Sequence, residues 1–291
     1  MARIGAIFTP YFPPEALRDA AQAAEESGVP ELWLWEDCFR ESAFATASAV
    51  LAWTTRMRVG IGVAPMPMRN VALTAMEIAT VERMFPGRLI PGVGHGVQSW
   101  MGQIGARVAS PLGLMREYVP TLRSLLAGAE VTTSGRYVSL DRVRLDWPPA
   151  DPPPVVVAGE GPKTVRLTGE VGDGTVLPAG STPERVASTL ALALAGREAA
   201  DRSGSHELVV FVEAAFDPRH APPAPGDSAP GDPADGAAPP LAGAPEEIAA
   251  ALEPYFAAGA TRVILQPPLA DRNLTGFLAG AGAVARLLPD A

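Results

Sequence analysis

Short runs of apolar residues alternate along the chain with longer stretches in which apolar positions recur every three or four residues. The runs are continuous, which suits strands covered on both faces; the longer stretches suit helices packed on one face. Residues 3–9 (RIGAIFT) make the first strand, prolines punctuate 10–14, and 15–27 follow as an amphipathic helix closed by Gly28. Residues 31–35 (ELWLW) are the second strand, ending in Glu36, Asp37 and Cys38, with a helix over 42–53. The clearest β-α-β unit comes next. It has a strand at 59–64, a Pro-rich turn at 65–69, a helix at 71–84, a Pro-Gly break and a strand at 88–94.

The rhythm continues with a loop over 96–111, a helix at 112–126, a strand at 153–158, a helix at 162–170, a strand at 174–178 and a helix at 183–202. A strand at 206–216, a helix at 245–256, a strand at 261–266 and a helix at 273–288 complete it. Two segments depart from the rhythm. Residues 128–147 alternate polar and apolar positions around a central Ser-Gly, the pattern of a hairpin. Residues 218–243 are dense in Pro, Gly and Asp and offer too little apolar surface to offset their ordering entropy, so a mobile loop is expected there. Eight strands alternating with eight helices predict one α/β domain over 1–291, a (β/α)8 TIM barrel. The inserted hairpin follows its fourth helix and the low-complexity loop its seventh strand. A doubly wound open sheet is the alternative, but it needs a phosphate loop after the first strand, and the proline-rich residues 10–14 cannot form one.

Composition narrows the partners. Lysine and arginine number 23 against 32 acids, a formal net charge of −9, and no basic stripe reverses it. That balance argues against nucleic acid and for a small-molecule substrate. Cys38 is the only cysteine and the three histidines are scattered, so no disulfide and no metal site is expected. No signal-peptide layout or membrane-length apolar run is evident, which leads to the expectation of a cytoplasmic protein that does not use a membrane. A homodimer is the expected assembly.

Residues Gly159, Glu160, Gly161, Pro162 and Lys163 lie between a strand and its helix. Such a turn either cradles a phosphate on backbone N–H groups or is a plain Gly-Pro helix start. His95 stands between Gly94 and Gly96 at a strand end, where it is either a pocket group or a structural histidine. Strand alternation points one of Glu36 and Asp37 inward, and Asp37 is preferred; Cys38 reads as a small buried side chain. Among the five tryptophans, Trp33 and Trp35 share a strand face and read as core, whereas Trp100 is the expected ligand-lining residue. Arg69 and Asn70 either meet a cofactor phosphate or start the third helix.

With these segments placed, the chain resembles the bacterial luciferase-like oxidoreductase superfamily, in particular its actinobacterial branch using the deazaflavin coenzyme F420. The resemblance rests on PMRNVALTAMEIATVERMFPGRLIPGVGHG (67–96), VVVAGEGPKTVRLTGEVGDGTV (155–176) and GAPEEIAAALEPYFAAGATRVILQP (243–267), in that order and spacing. It departs at Val71, where a proline is usual, and in the low-complexity loop. The resemblance implies the same barrel, with the cofactor over its mouth, its phosphate near Gly159 to Lys163 and its ring near strands two to four. A bulge at Gly62 and Val63, often carrying a non-prolyl cis bond, is expected to support the ring, with Ala64 and Gly94 beside it. Asp37 and His95 match positions that commonly face the ring, and Glu36 is a further acid-base candidate. Phe8, Tyr11 and Trp100 are the expected substrate-pocket residues. The activity implied is hydride transfer between F420 and a small organic substrate. The alternatives are an FMN-dependent monooxygenase and a non-catalytic flavin- or deazaflavin-binding protein.

Overall fold

Strands rich in Val, Ile and Leu have little use for a solvent-facing side, so they pair with one another and take helices on the outside. In the computed structural model, residues 3–217, 219 and 237–288 are described. Strands β1 (Arg3–Phe8), β2 (Glu31–Leu34), β3 (Arg58–Ile61), β4 (Ala64–Pro65), β5 (Leu89–Ile90) and β6 (Gly92–Gly94) come first. The hairpin strands β7 (Val131–Ser134) and β8 (Ser139–Val143) follow, then β9 (Val156–Ala158), β10 (Gly174–Leu177), β11 (Glu207–Ala215), β12 (Leu241–Ala242) and β13 (Arg262–Gln266). The helices are α1 (Leu17–Glu26), α2 (Ala43–Trp53), α3 (Val71–Met84), α4 (Gln98–Gln103), α5 (Pro111–Leu126), α6 (Pro162–Val171), α7 (Pro183–Ala199), α8 (Pro245–Ala257) and α9 (Leu274–Leu287).

The parallel sheet runs β4-β6-β9-β10-β11-β13-β1-β2-β3-β5. Because β3 and β4 follow each other along one chain direction, as do β5 and β6, the sheet curls back on itself into a TIM-barrel-type fold. Each of these two predicted strands is therefore split. The peptide bond Gly62–Val63, which is cis, separates β3 from β4, and Pro91 separates β5 from β6. A second non-prolyl cis bond joins Cys38 and Phe39.

Side chains alternate between two cores. Ile7, Trp33, Ile90, Val156, Val176, Val209, Phe211 and Ile264 fill the barrel, while Phe8, Leu32, Leu34, Val59 and Ile61 pack outward under the helices. Trp33 fits because Gly60 faces it: a Cβ there would lie 2.2 Å from the indole Cδ2. At the N-terminal end the buried Glu31 carboxylate accepts from Trp33 Nε1 (3.2 Å), Arg58 Nη1 (3.1 Å) and Arg262 Nε (3.1 Å), closing the barrel with paired charge.

The excursion at 128–147 is the antiparallel pair β7-β8. It is tied to α5 by Glu117, whose carboxylate accepts from the backbone of Tyr137 (2.8 Å) and Val138 (3.0 Å). Two expectations need correction. Residues 96–111 are not all loop, since they hold the short helix α4. The end of the segment predicted as mobile is ordered: β12 pairs in parallel with β11, Ala214 opposite Leu241, and Ala238 N–H donates to Gly180 O. The rest of that expectation, residues 218 and 220–236, lies outside the described residues.

Candidate active site

In a barrel filled by apolar layers, polar groups collect where the strands run out, at their C-terminal ends. There a cleft of about 630 Å³ opens, bordered by residues that follow β2 (Trp35, Glu36, Asp37), β3 (Gly62, Val63), β6 (His95, Gly96), β9 (Gly159, Glu160, Gly161) and β10 (Pro178, Ala179). Helices α4, α5 and α6 add Gln98, Trp100, Pro111 and Thr164, and the floor holds Phe211 and Gln266.

The β2 end is set by alternation. Glu31, Trp33, Trp35 and Asp37 fall on the barrel side, so Asp37 reaches the cleft half-buried, and burial raises its carboxyl above the usual range while Arg40 opposes the shift. Glu36 falls on the other side. Its Oε1 lies 2.6 Å from Arg69 Nη2 and its Oε2 accepts from Ala43 N–H (3.2 Å), so it pins the start of α2. Arg69 Nε also lies 3.1 Å from Glu77 Oε2. Neither Arg69 nor Asn70 is placed to hold a phosphate, for Asn70 caps α3 through Ala72 N–H at 2.9 Å.

His95 is half-buried after β6. Burial lowers its pKa below 6.5, which keeps the ring neutral at pH 7, and its Nε2 is buried with no partner. Gln98 steadies the turn by donating to the carbonyls of His95 and Gly96 at 3.4 Å. Gly96 has φ of +67° and faces Pro65 so closely that a Cβ would lie 2.9 Å from its Cβ, so only glycine fits.

The turn before α6 divides into two roles. A Cβ on Gly159 would press on Thr168 (3.0 Å) and Thr164 (3.1 Å), so this glycine serves strand-helix packing. A Cβ on Gly161 would meet nothing within 4 Å, which leaves open space before a helix whose first N–H groups have no intrahelical partner. Glu160 borders the cleft and lies 3.7 Å from Arg185; Pro162 and Lys163 are exposed and outside it.

Several predicted pocket residues stand elsewhere. Phe8 is 1 % exposed and packs outward on Phe12, because even-numbered positions of β1 face the helices. Tyr11 lies at the surface under the Arg40 guanidinium, 4.3 Å from the ring centre. Ala64 is buried in the outer core. Gly94 is buried beneath Val63, its Cβ position 2.6 Å from that side chain. Cys38 is the small buried side chain expected of it; it donates to the Met68 sulfur and has its thiol pushed up by burial. Trp35, Gln98, Thr164, Phe211 and Gln266 were not anticipated. For Trp35 the signal was present, since it shares the inward parity of Asp37.

The cleft therefore brings together a helix start open to backbone approach, a neutral histidine, a half-buried carboxyl and aromatic walls. Two buried polar atoms on its border, Trp35 Nε1 and His95 Nε2, have no protein partner. Such groups cost free energy when unsatisfied, so this border suits a ligand with polar edges. Among the described residues no helix is long and apolar enough to cross a membrane, and no cluster of metal-ligating side chains occurs.

Comparison with known proteins bears on the family and the fold. An F420-dependent glucose-6-phosphate dehydrogenase of Nakamurella multipartita is 30% identical over 218 residues, covering 69% of this chain and 63% of that protein. A 5,10-methylenetetrahydromethanopterin reductase of Methanolobus tindarius is 29% identical over 175 residues, covering 60% of this chain and 53% of the other. The chain thus aligns with about half to two thirds of the length of these relatives. Among solved structures, an F420-dependent secondary alcohol dehydrogenase in complex with an F420-acetone adduct superimposes with a TM-score of 0.82 at 23% identity, covering 97% of this chain and 99% of that one. That likeness carries the fold. Residues 2–222 match the family described as Luciferase-like monooxygenase, and with the barrel and its mouth arranged as above, the chain belongs to that family.

Proposed function

We propose that this chain is an oxidoreductase that moves a hydride between coenzyme F420 and a small organic substrate. The observation that carries it is the pairing, in one cleft, of an open helix start at Gly161 with a neutral His95 whose Nε2 is buried and free. Relatives named as F420-dependent support the choice of cofactor.

When bound, the deazaflavin supplies the carbon that accepts or gives the hydride, and that chemistry is the cofactor's own. The backbone N–H groups at Gly161 and the first turn of α6 would hold its phosphate, aided by the positive end of the helix. Val63 and Gly62, bordering the cleft beside Trp33 and Phe211, give the ring a rigid apolar wall. Asp37, half-buried on the same border, would face the ring. His95 takes the substrate proton at Nε2 in the oxidising direction and returns it in the other, a role typically contributing about 10² to 10⁴-fold.

The test is titration of the protein with F420 and, separately, FMN, followed by absorbance and fluorescence. Saturable binding of F420 in preference to FMN is expected. Preference for FMN moves the reading to a flavin monooxygenase. Binding of F420 with no turnover across alcohols, aldehydes and ketones favours a non-catalytic binding protein.

A further inference from the structure

Strand β11 carries one acid past its first residue, Glu213, and alternation puts it on the barrel side. Val210, Val212 and Ala214 pack outward under the helices, whereas Val209 and Phe211 fill the barrel, so Glu213 follows Phe211 on the inner face toward the mouth. Register fixes its neighbour. Phe211 lies opposite Ile264 and Glu213 opposite Gln266; because Ile264 also fills the barrel, Glu213 and Gln266 stand side by side on one wall, their strands about 4.8 Å apart. That wall reaches the cleft. Gln266 and Phe211 both border it, and the Phe211 ring is held by Gly62, whose Cβ position lies 2.6 Å from Cζ, and by stacking on Trp35 with centroids 6.3 Å apart.

Among the described residues Glu213 has neither a hydrogen bond nor an ion pair. It is half-buried, and burial raises its carboxyl above the usual range with no neighbouring charge to oppose the shift. Every lysine and arginine of the chain is among the described residues, and none borders the cleft. Those nearby already have partners. Arg69 lies 2.6 Å from Glu36, Arg185 lies 3.7 Å from Glu160, and Arg219, the first arginine after β11, is exposed and paired with Asp217.

A partly desolvated carboxylate without a counter-ion is costly, and a ligand that brings positive charge relieves that cost. An anion makes it worse. A neutral hydroxyl satisfies one oxygen and leaves the charge, whereas an ammonium group has three N–H donors for the two oxygens of Glu213 and the carboxamide oxygen of Gln266. The adjoining Phe211 ring gives the carbon skeleton an apolar seat.

We propose that Glu213 is a substrate-contacting residue that sets specificity, and that the substrate carries a protonated amine, held at Glu213 and Gln266 with its carbon skeleton against Phe211. This rests on the oxidoreductase reading above and names its substrate class. The ammonium group serves recognition and undergoes no chemistry.

The test uses the F420-loaded full chain and three probes that share one ring, cyclohexylamine, cyclohexanol and cyclohexanecarboxylate, with dissociation constants read by ligand-observed NMR at neutral pH. Cyclohexylamine, an ammonium ion under those conditions, is expected to bind about tenfold more tightly than either of the others. Glu213→Gln keeps the shape and removes the charge. It should abolish that preference while F420 affinity and melting temperature stay near wild type, and Glu213→Asp, which keeps the charge, should retain part of it. A wild type that binds cyclohexanol or cyclohexanecarboxylate as tightly as cyclohexylamine overturns this proposal alone, as does a preference that Glu213→Gln leaves intact. If Glu213→Gln does not fold, Glu213→Asp and Gln266→Leu take its place, and unchanged cyclohexylamine affinity in both overturns the proposal. Absence of F420 binding in the wild type overturns the oxidoreductase reading, and this proposal with it.

Discussion

Glu36, after β2, and Arg69, before α3, face each other beside the mouth of the barrel with Oε1 and Nη2 2.6 Å apart, both nearly out of water, their side chains 5% and 11% exposed. The pair ties the residue next to Asp37 to the start of α3, so the acid beside the cleft is positioned by a group that does not itself border it. Glu36 is thereby occupied in structure, which is why the proposed proton role is given to His95.

Removing Arg69 leaves a buried carboxylate without its counter-ion. Arg69→Leu should destabilise the fold by about 3 kcal/mol, read from urea denaturation. Glu36→Gln, which keeps an acceptor for Ala43 N–H, should lose less and retain turnover within tenfold. A loss under about 1 kcal/mol in Arg69→Leu would show that the pair is dispensable.

Two glycines separate packing from binding. At Gly60 an alanine Cβ would sit 2.2 Å from the Trp33 ring, so Gly60→Ala should cost about 1–3 kcal/mol through overpacking. At Gly161 no protein atom lies within 4 Å of the added Cβ, so Gly161→Val should leave the melting temperature nearly unchanged and weaken F420 binding. Lys163→Ala should do the latter less. Unchanged F420 affinity in both Gly161→Val and Lys163→Ala would place the phosphate elsewhere.

His95 gives the oxidation a pH dependence of definite sign. Burial lowers its pKa from 6.5, so the neutral, proton-accepting form persists through neutral pH and is lost only on acidification. The acid limb of kcat/KM should therefore fall below pH 6.5. His95→Ala should keep F420 affinity within a few-fold and lose most turnover, whereas Asp37→Ala should affect both. An acid limb that His95→Ala leaves unchanged would transfer the proton role to Asp37.

His206 predicts a pH dependence of stability unrelated to catalysis. It is 4% exposed, with Nε2 2.8 Å from the Thr175 hydroxyl. Burial, and then the nearby Arg197 and Arg202, lower its pKa to about 4. Because the folded pKa is below the unfolded value, the unfolded state binds the proton first as pH falls. Above pH 6.5 there is no effect; between 6.5 and about 4 stability should drop by up to about 1.4 kcal/mol per unit from this group. His206→Gln should remove that component. Parallel stability-pH curves for the two proteins would count against it.

The alternation of apolar runs with amphipathic stretches determined the barrel-type fold, because covering a parallel sheet on both faces imprints a local period that needs no tertiary information. The bounds of α3, Val71–Met84, coincide with those read from the sequence because capping at Asn70 is a local hydrogen bond. Sequence also singled out the two glycine-flanked turns at His95 and Gly161, and at the first of them the positive φ of Gly96 and its close approach to Pro65 demand glycine.

What a side chain faces was decided by tertiary structure. Phe8 and Trp35 are both aromatic residues at strand ends, but strand parity sends one under the helices and the other to the cleft, and a one-residue shift in a strand reverses that assignment. The same holds for Glu36 against Asp37. Arg69 lies 33 residues beyond Glu36 in the chain, and Gln266 comes from the far end of the sequence. Only closure of the sheet brings β13 beside β1 and β11, and with it those groups to the barrel mouth.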